Sequence, residues 1–307
     1  DGTGIGAFAQ VHLKSGSILA LEAPALVAHG AHDYFTLSGQ YAKLHESVQR
    51  SVMGLHRYKL TESAAGMAGM GGFLSRYRTE TELVQNLFDV MTTNAVPMGS
   101  EASAQGPGDM GLFVLASRFN HSCSPNATHH WMSSCGTLRV QALCDIQPGE
   151  QICVSYLSPA NLLRQTSLRQ NMLLPKLSGN ACACQACSDP CSDARRVRIL
   201  AADQAIQEAL ESGSPVDGLL VVEEKLRVLK EERLFHRRKT MIDAFMLAVQ
   251  THNTAEIRKW AHKAYEYYRD RCGEEHAFTQ HMKNFAKNPP KCEDDLLADK
   301  SWLASPP

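Results

Sequence analysis

No cysteine occurs before Cys123, and no apolar run in the 307 residues approaches the roughly 20 that span a bilayer. The first absence leaves residues 1–122 without thiol ligands or disulfides. The second gives no reason to expect a membrane partner, and no secretory segment is visible at the opening. The chain opens on Asp1, so further residues are expected upstream. An excess of charge of one sign is missing too. Lys plus Arg number 31 against 32 for Asp plus Glu, a net charge of −1. That balance argues against a protein dominated by phosphate contacts. Aromatics make up 7%, with no basic–aromatic run, so direct nucleic-acid binding is not expected.

What is present fits a soluble globular protein: 44% hydrophobic residues and a mean hydropathy of −0.26. The length predicts about two domains. Residues 1–191 carry 25 charges, whereas the 116 residues after them carry 38, so a boundary is expected near 192. Eight of the 10 cysteines fall between Cys123 and Cys191. That crowding, without a secretory signal, predicts metal binding rather than a disulfide framework. It also predicts a reducing compartment, cytoplasm (cytoskeleton included) or nucleus.

Gly16 lies between two apolar stretches within 4–28, which predicts a hairpin or short β-meander. Leu83, Leu87 and Val90 recur at i, i+4 and i+7, and the stretch from about 38 to 95 reads as helical. Residues 98–110, rich in Gly, Ser and Pro, read as a loop. GLFVLASRF, THHWM, GTLRVQAL and EQICVSYL follow as β-like segments. Beyond 192 helices are expected. Val222, Leu226 and Leu229 form one apolar stripe, and Ile242, Phe245, Met246 and Val249 another. A third runs through Ile257, Trp260, Ala261, Ala264, Tyr265 and Tyr268, and reads as core rather than a ligand groove. Such helices with short joints predict antiparallel pairs, as in helical repeats, although no strict repeat is present.

Cys182, Cys184 and Cys187 form a C-x-C-x-x-C turn. Zinc takes four ligands in a tetrahedron and favours thiolates, so a fourth ligand is needed. Two candidates stand open: Cys191, near in sequence, and Cys123, remote but set in the polar run RFNHSCSPN at 118–126. The isolated Cys135, Cys144, Cys153, Cys272 and Cys292 read as small buried residues. His121 and Cys123 are two residues apart, poor spacing for a nucleophile and its base, which sets a cysteine hydrolase aside. Gly149-Glu150 leads into QICVSY, so Tyr156 ends an apolar strand.

Taken in order, G-x-G-x-F-A, N-H-S-C-x-P-N, G-E-x-x-x-x-S-Y and C-x-C-x-x-C make the chain resemble the SET-domain protein-lysine methyltransferases. The resemblance covers residues 4–28 and about 85–187. The segment MTTNA at 91–95 and the phrase at 111–123 resemble the SET–MYND branch, which also ends in a helical-repeat domain. A MYND finger needs a cluster of Cys and His ligands in about 29–75. No cysteine stands there, so the branch is one lacking that finger.

The resemblance implies an α+β fold. A SET β-core with a pseudo-knot occupies 1–28 and 110–158, interrupted by a helical insert at 29–109. A zinc-bound post-SET segment at 159–191 and a C-terminal α-helical, TPR-like domain at 192–307 follow. It implies S-adenosylmethionine as cofactor, contacted by Gly4, Ile5, Gly6, Asn94, Asn120, His121 and Tyr156. Tyr156 also lines the methyl-transfer channel as the catalytic residue. One structural zinc is implied on Cys123, Cys182, Cys184 and Cys187. The implied partner is a protein lysine, histone or non-histone, and a helical layer with an open edge leaves room for a homodimer. Thr3 and Ile5 stand where the family often has Arg and Asn. Asn180 stands at the adenine-packing aromatic, and Ser178 near a further channel tyrosine. Those departures motivate an alternative: a zinc-stabilised SET-fold scaffold whose helical domain recruits a protein partner.

Overall fold

A computed structural model describes residues 6–29, 36–57, 82–99, 108–133, 135–235, 237–292 and 295–296. Along the chain run β1 (Ala7–Phe8), β2 (Ile18–Glu22), β3 (Leu26–Ala28), α1 (Leu37–Ala42), α2 (Glu46–Met53) and α3 (Glu82–Asn94). Then come β4 (Val96–Pro97), β5 (Met110–Leu112), β6 (Asn120–His121), β7 (Ala127–Met132), β8 (Thr137–Ala142) and β9 (Gln151–Val154). The helices α4 (Pro159–Leu162), α5 (Thr166–Leu173), α6 (Gln185–Ser188), α7 (Ser192–Ser212) and α8 (Pro215–Glu231) follow. The described helices end with α9 (Arg238–Gln250), α10 (Thr254–Cys272) and α11 (Ala277–Lys287). The chain divides into two compact units: residues 1–158 with 166–185, and 159–165 with 186–307.

The first unit is α+β. Its described strands form three small sheets, ordered β1-β9-β6, β2-β8-β7 and β3-β5-β4. The hairpin expected around Gly16 does not form. Gly16 does turn the chain, at φ 85°, but β1 pairs with β9 and β2 with β8. Alternating apolar residues mark a strand without naming its partner, and here both partners are more than 100 residues away. Along β9 the side chains alternate, with Ile152 and Val154 facing a core that also holds Ala9, Ala20, Phe119, Val140 and Ala142. A second cluster packs Leu87, Val90 and Met91 of α3 against Leu26, Ala28 and Leu112. Leu83 of the same helical stripe is 40% exposed, so the buried face of α3 starts a turn later.

The second unit is helical. Its start and stop signals are local: Asn253 accepts hydrogen bonds from the N–H groups of Ala255 (3.0 Å) and Glu256 (3.3 Å) at the start of α10. Gly213 closes α7 at φ 68°, a left-handed position that favours glycine, and Pro215 opens α8. Phe245, Val249, Ile257, Trp260, Ala261, Ala264 and Tyr268 are buried in one cluster, so the stripes meet as core. Beneath α7, Glu232 takes hydrogen bonds from Arg195 Nε (2.6 Å) and Arg196 Nε (3.0 Å), and also from the Ser192 hydroxyl. Arg196 is fully buried there, so the carboxylate is its counter-charge. Among the described residues, no helix is long and apolar enough to cross a membrane.

Candidate functional site

β9 lies between β1 and β6, and this one strand gathers most of the chemistry. Ala7 sits opposite Ile152 in an antiparallel pairing, while Asn120 and His121 run parallel to β9 beside Cys153 and Val154. Strands β1 and β6, more than 110 residues apart in sequence, therefore flank the same strand. Gly6 is needed for that approach. A Cβ there would stand 2.8 Å from Asn120 Nδ2 and press on the Gln151 carboxamide. Gly4 and Ile5 lie outside the described residues.

Tyr156 is held at three points. Its hydroxyl donates to the Phe119 carbonyl (2.9 Å), and its backbone N–H donates to His121 Nδ1 (3.0 Å). The two rings lie 5.3 Å apart, tilted by 42°. Burial, with Cys153 adding a smaller push, raises the phenol to about 12, so it stays neutral at physiological pH. Because Nδ1 of His121 accepts a hydrogen bond from an N–H, the ring proton of the neutral imidazole is on Nε2. That nitrogen faces Cys123 Sγ at 3.3 Å. The buried imidazole of His121 thus points toward the thiol rather than outward.

The sulfurs of Cys123, Cys182, Cys184 and Cys187 all lie within 4.8 Å of one another, the first two buried and the others half-buried. A tetrahedral zinc with Zn–S bonds near 2.3 Å needs sulfur separations of about 3.8 Å, so this all-thiol donor set suits zinc. Cys191, the other candidate fourth ligand, is exposed and stands outside the cluster at the cap of α7. The Cys123 N–H points at Cys184 Sγ (3.4 Å). Cys153, beside the group, is raised to about 11 by burial, by Cys184 and by Glu150, and remains a thiol.

Asn94 ends α3. Its carboxamide donates to the carbonyls of His56 and Val90, both at 2.8 Å. Lys176 closes the same helix end: its buried ammonium donates to the carbonyls of Thr92 and Thr93, both at 3.2 Å. A cation there complements the helix dipole, and burial lowers its pKa. Ser178, at φ 56°, hydrogen-bonds His56. Asn180 is exposed and caps its own turn through Leu177 O (3.0 Å).

Three supporting residues escape a sequence reading. Asn126 is buried, donates to Gln151 O (2.9 Å) and accepts from Cys153 N–H (2.8 Å), which pins the cysteine loop to β9. Its only sequence signal is its place at the end of NHSCSPN. Gln170 brackets Cys182, donating to its carbonyl (2.8 Å) and accepting from its N–H (2.6 Å). Glu22 accepts from the N–H groups of Leu115 and Ala116, both at 2.9 Å, and so caps the turn that leads into Phe119 and Asn120. Neither Gln170 nor Glu22 belongs to a readable motif.

With this geometry in place, comparison with known sequences decides the family. The sequence model of the SET domain matches residues 4–157. The chain belongs to the SET-domain family. Histone-lysine N-methyltransferase set5 of Schizosaccharomyces pombe is 30% identical over 187 residues, 57% of this chain and 57% of its own length. Protein-lysine N-trimethyltransferase SMYD5 of Mus musculus is 44% identical over 77 residues, 25% of this chain and 18% of its own length. The Homo sapiens SMYD5 is 43% identical over 82 residues, with the same shares. The chain thus spans little more than half the length of the yeast relative and under a fifth of the mammalian ones. Of the quoted motifs, the Asn-His pair forms β6, Gly6 stands just before β1, and Tyr156 lies two residues past the end of β9.

Proposed function

We propose that this SET-domain chain is an S-adenosylmethionine-dependent protein-lysine N-methyltransferase with one structural zinc. The observation that carries the reading is the convergence on β9. Gly6 lies against Asn120, and Tyr156 is tied to the neighbouring His121, all beside a four-thiol cluster. The relatives named as lysine methyltransferases point the same way.

With no Cβ, Gly6 leaves its backbone close to Asn120 and the Gln151 carboxamide, where a main-chain contact to the cofactor would form. Gly4, Ile5, Gly6, Asn94 and Asn120 are the residues proposed to hold it, with the His121 main chain contributing from β6. Bound S-adenosylmethionine would supply an electrophilic sulfonium methyl. The chain's own residues then have to present a neutral lysine amine, since free lysine titrates near about 10.4. A dry channel beside a cation favours the neutral amine. The Tyr156 oxygen is oriented by its bond to Phe119 O and, as a neutral phenol, keeps lone pairs to accept from the amine. It orients the nucleophile rather than taking its proton. Four thiolates close the zinc sphere, leaving no position for water, so the metal would act by holding 182–187 against the NHSC turn. The threaded SET core, the insert at 29–109, the post-SET segment at 159–191 and the helical domain at 192–307 belong to the same proposal.

The test is calorimetric binding of S-adenosylmethionine, followed by transfer of labelled methyl to proteins of a lysate and identification of the labelled band. Binding and a labelled lysine are the expected result. No binding and no transfer would leave a zinc-stabilised scaffold.

A further inference from the structure

The imidazole of His121 occupies a place the methyl-transfer reading does not use. The family resemblance assigns this residue to the cofactor, yet both of its ring nitrogens are engaged within the protein. Nδ1 accepts the Tyr156 N–H at 3.0 Å, and Nε2 lies 3.3 Å from Cys123 Sγ. The ring is buried and packs against the Tyr156 ring. A backbone N–H can only donate. The Tyr156 contact therefore forces the Nε2–H tautomer, and that proton is the one facing the sulfur.

We propose that His121 is a positioning residue whose side chain couples the metal-binding thiolate of Cys123 to the placement of Tyr156. The inference rests on the zinc and methyltransferase reading above. An N–H···S bond to a metal thiolate spreads its charge and steadies the metal, as hydrogen bonds to metal ligands do in general. At its other end the same ring fixes the backbone at which β9 delivers the tyrosine. The metal site and the backbone that carries the reacting side chain are thereby joined through one rigid, five-membered ring. Zinc loading then orders Tyr156 as well as the cysteine turn, and the His121 side chain touches neither substrate nor cofactor.

Two near-isosteric substitutions separate the two ends. In His121→Asn the amide oxygen falls near the Nδ1 position and keeps the acceptor for Tyr156, but no donor reaches Cys123. In His121→Gln the amide nitrogen falls near the Nε2 position and keeps the donor, but the acceptor for Tyr156 is gone. The experiment uses the full zinc-loaded chain. Zinc release to a coloured chelator, S-adenosylmethionine binding by calorimetry, and kcat and KM for labelled methyl transfer are measured for parent and variants. His121→Asn should release zinc at least about tenfold faster, the lower end of what losing such an outer hydrogen bond costs, and should lose less kcat than His121→Gln. His121→Gln should hold zinc like the parent while kcat falls about tenfold, a larger loss than any change in its cofactor affinity.

Equal weakening of cofactor binding in both variants, with zinc release unchanged, would overturn the proposal and return the side chain to the cofactor. Lower melting temperatures alone, with zinc release and kcat at parental values, would overturn it as well. Should a variant not fold, nitrogen chemical shifts of the parent's His121 decide: an unprotonated Nδ1 supports the coupling, and a protonated Nδ1 refutes it. A parent that holds no zinc or transfers no methyl would bring down the reading beneath, and that failure shows before any variant is made.

Discussion

Replacing Tyr156 by Phe removes one hydroxyl and keeps the ring. The proposed function gives that change two separate costs. The first is the bond from the hydroxyl to the Phe119 carbonyl at 2.9 Å. A hydrogen bond of this kind is worth about 1 kcal/mol net, which lowers the melting temperature of a domain this size by about 2–4 °C. The ring's volume, its packing beside Ile152 and Val154 and its contact with His121 are retained, so the fold survives. The second cost is catalytic. Losing a positioned group that acts on the transition state lowers transfer by about 10²-fold, or about 2.7 kcal/mol. The catalytic loss therefore exceeds the stability loss, whereas damage to packing alone would reverse that order. The phenol, raised to about 12, is protonated throughout the working range. The ratio of parent to variant rates should accordingly stay flat from pH 7 to about 9, with no tyrosine inflection in either profile. The assay is steady-state transfer of labelled methyl at several pH values, with melting curves run with and without cofactor. A folded Tyr156→Phe protein that binds cofactor and transfers methyl at the parental rate would refute the reasoning.

Cys184→Ser should lower zinc content from about one per chain and reduce the melting temperature, because structural zinc binding is coupled to folding. Cys191→Ser, outside the cluster, should change neither, and metal analysis of both proteins tests the pair. Glu232→Gln keeps the shape but strips the counter-charge from the fully buried Arg196. A loss of about 3–5 kcal/mol, read by urea denaturation, is expected, and a change below about 1 kcal/mol would show that the pair is not the ionic anchor it looks to be. His129 is pushed down to about 4, mainly by burial and further by His130. Between that value and 6.5 the unfolded chain binds more protons than the folded one. The stability from keeping His129 neutral is therefore present above about pH 6.5 and is lost as pH falls toward 4. His129→Gln should flatten that part of the pH–stability curve, and an unchanged slope would contradict the assignment.

The helical half of this protein was legible because its information is local. Apolar residues at i, i+3 and i+4 mark one face whatever the rest of the chain does, and Trp260, Ala261, Ala264 and Tyr268 are buried together as that spacing requires. Asn253, Gly213 and Pro215 punctuate the helices through their own backbone chemistry. The β half was legible in alternation but not in pairing, which is why the turn at Gly16 looked like a hairpin although its strands join β8 and β9 instead. The grouping of three cysteines was plain in the sequence. Which remote thiol comes within 4.8 Å of them depends on where β6 and the loop behind it are carried by β9, and only the folded chain decides that. Glu22, Gln170 and Asn126 are ordinary polar residues in the sequence. Each gains its role from a backbone group at least 12 residues away, brought near by the tertiary structure. The orientation of His121 is decided at the same level, because a ring with two nitrogens takes its tautomer from whichever donor the fold places beside it.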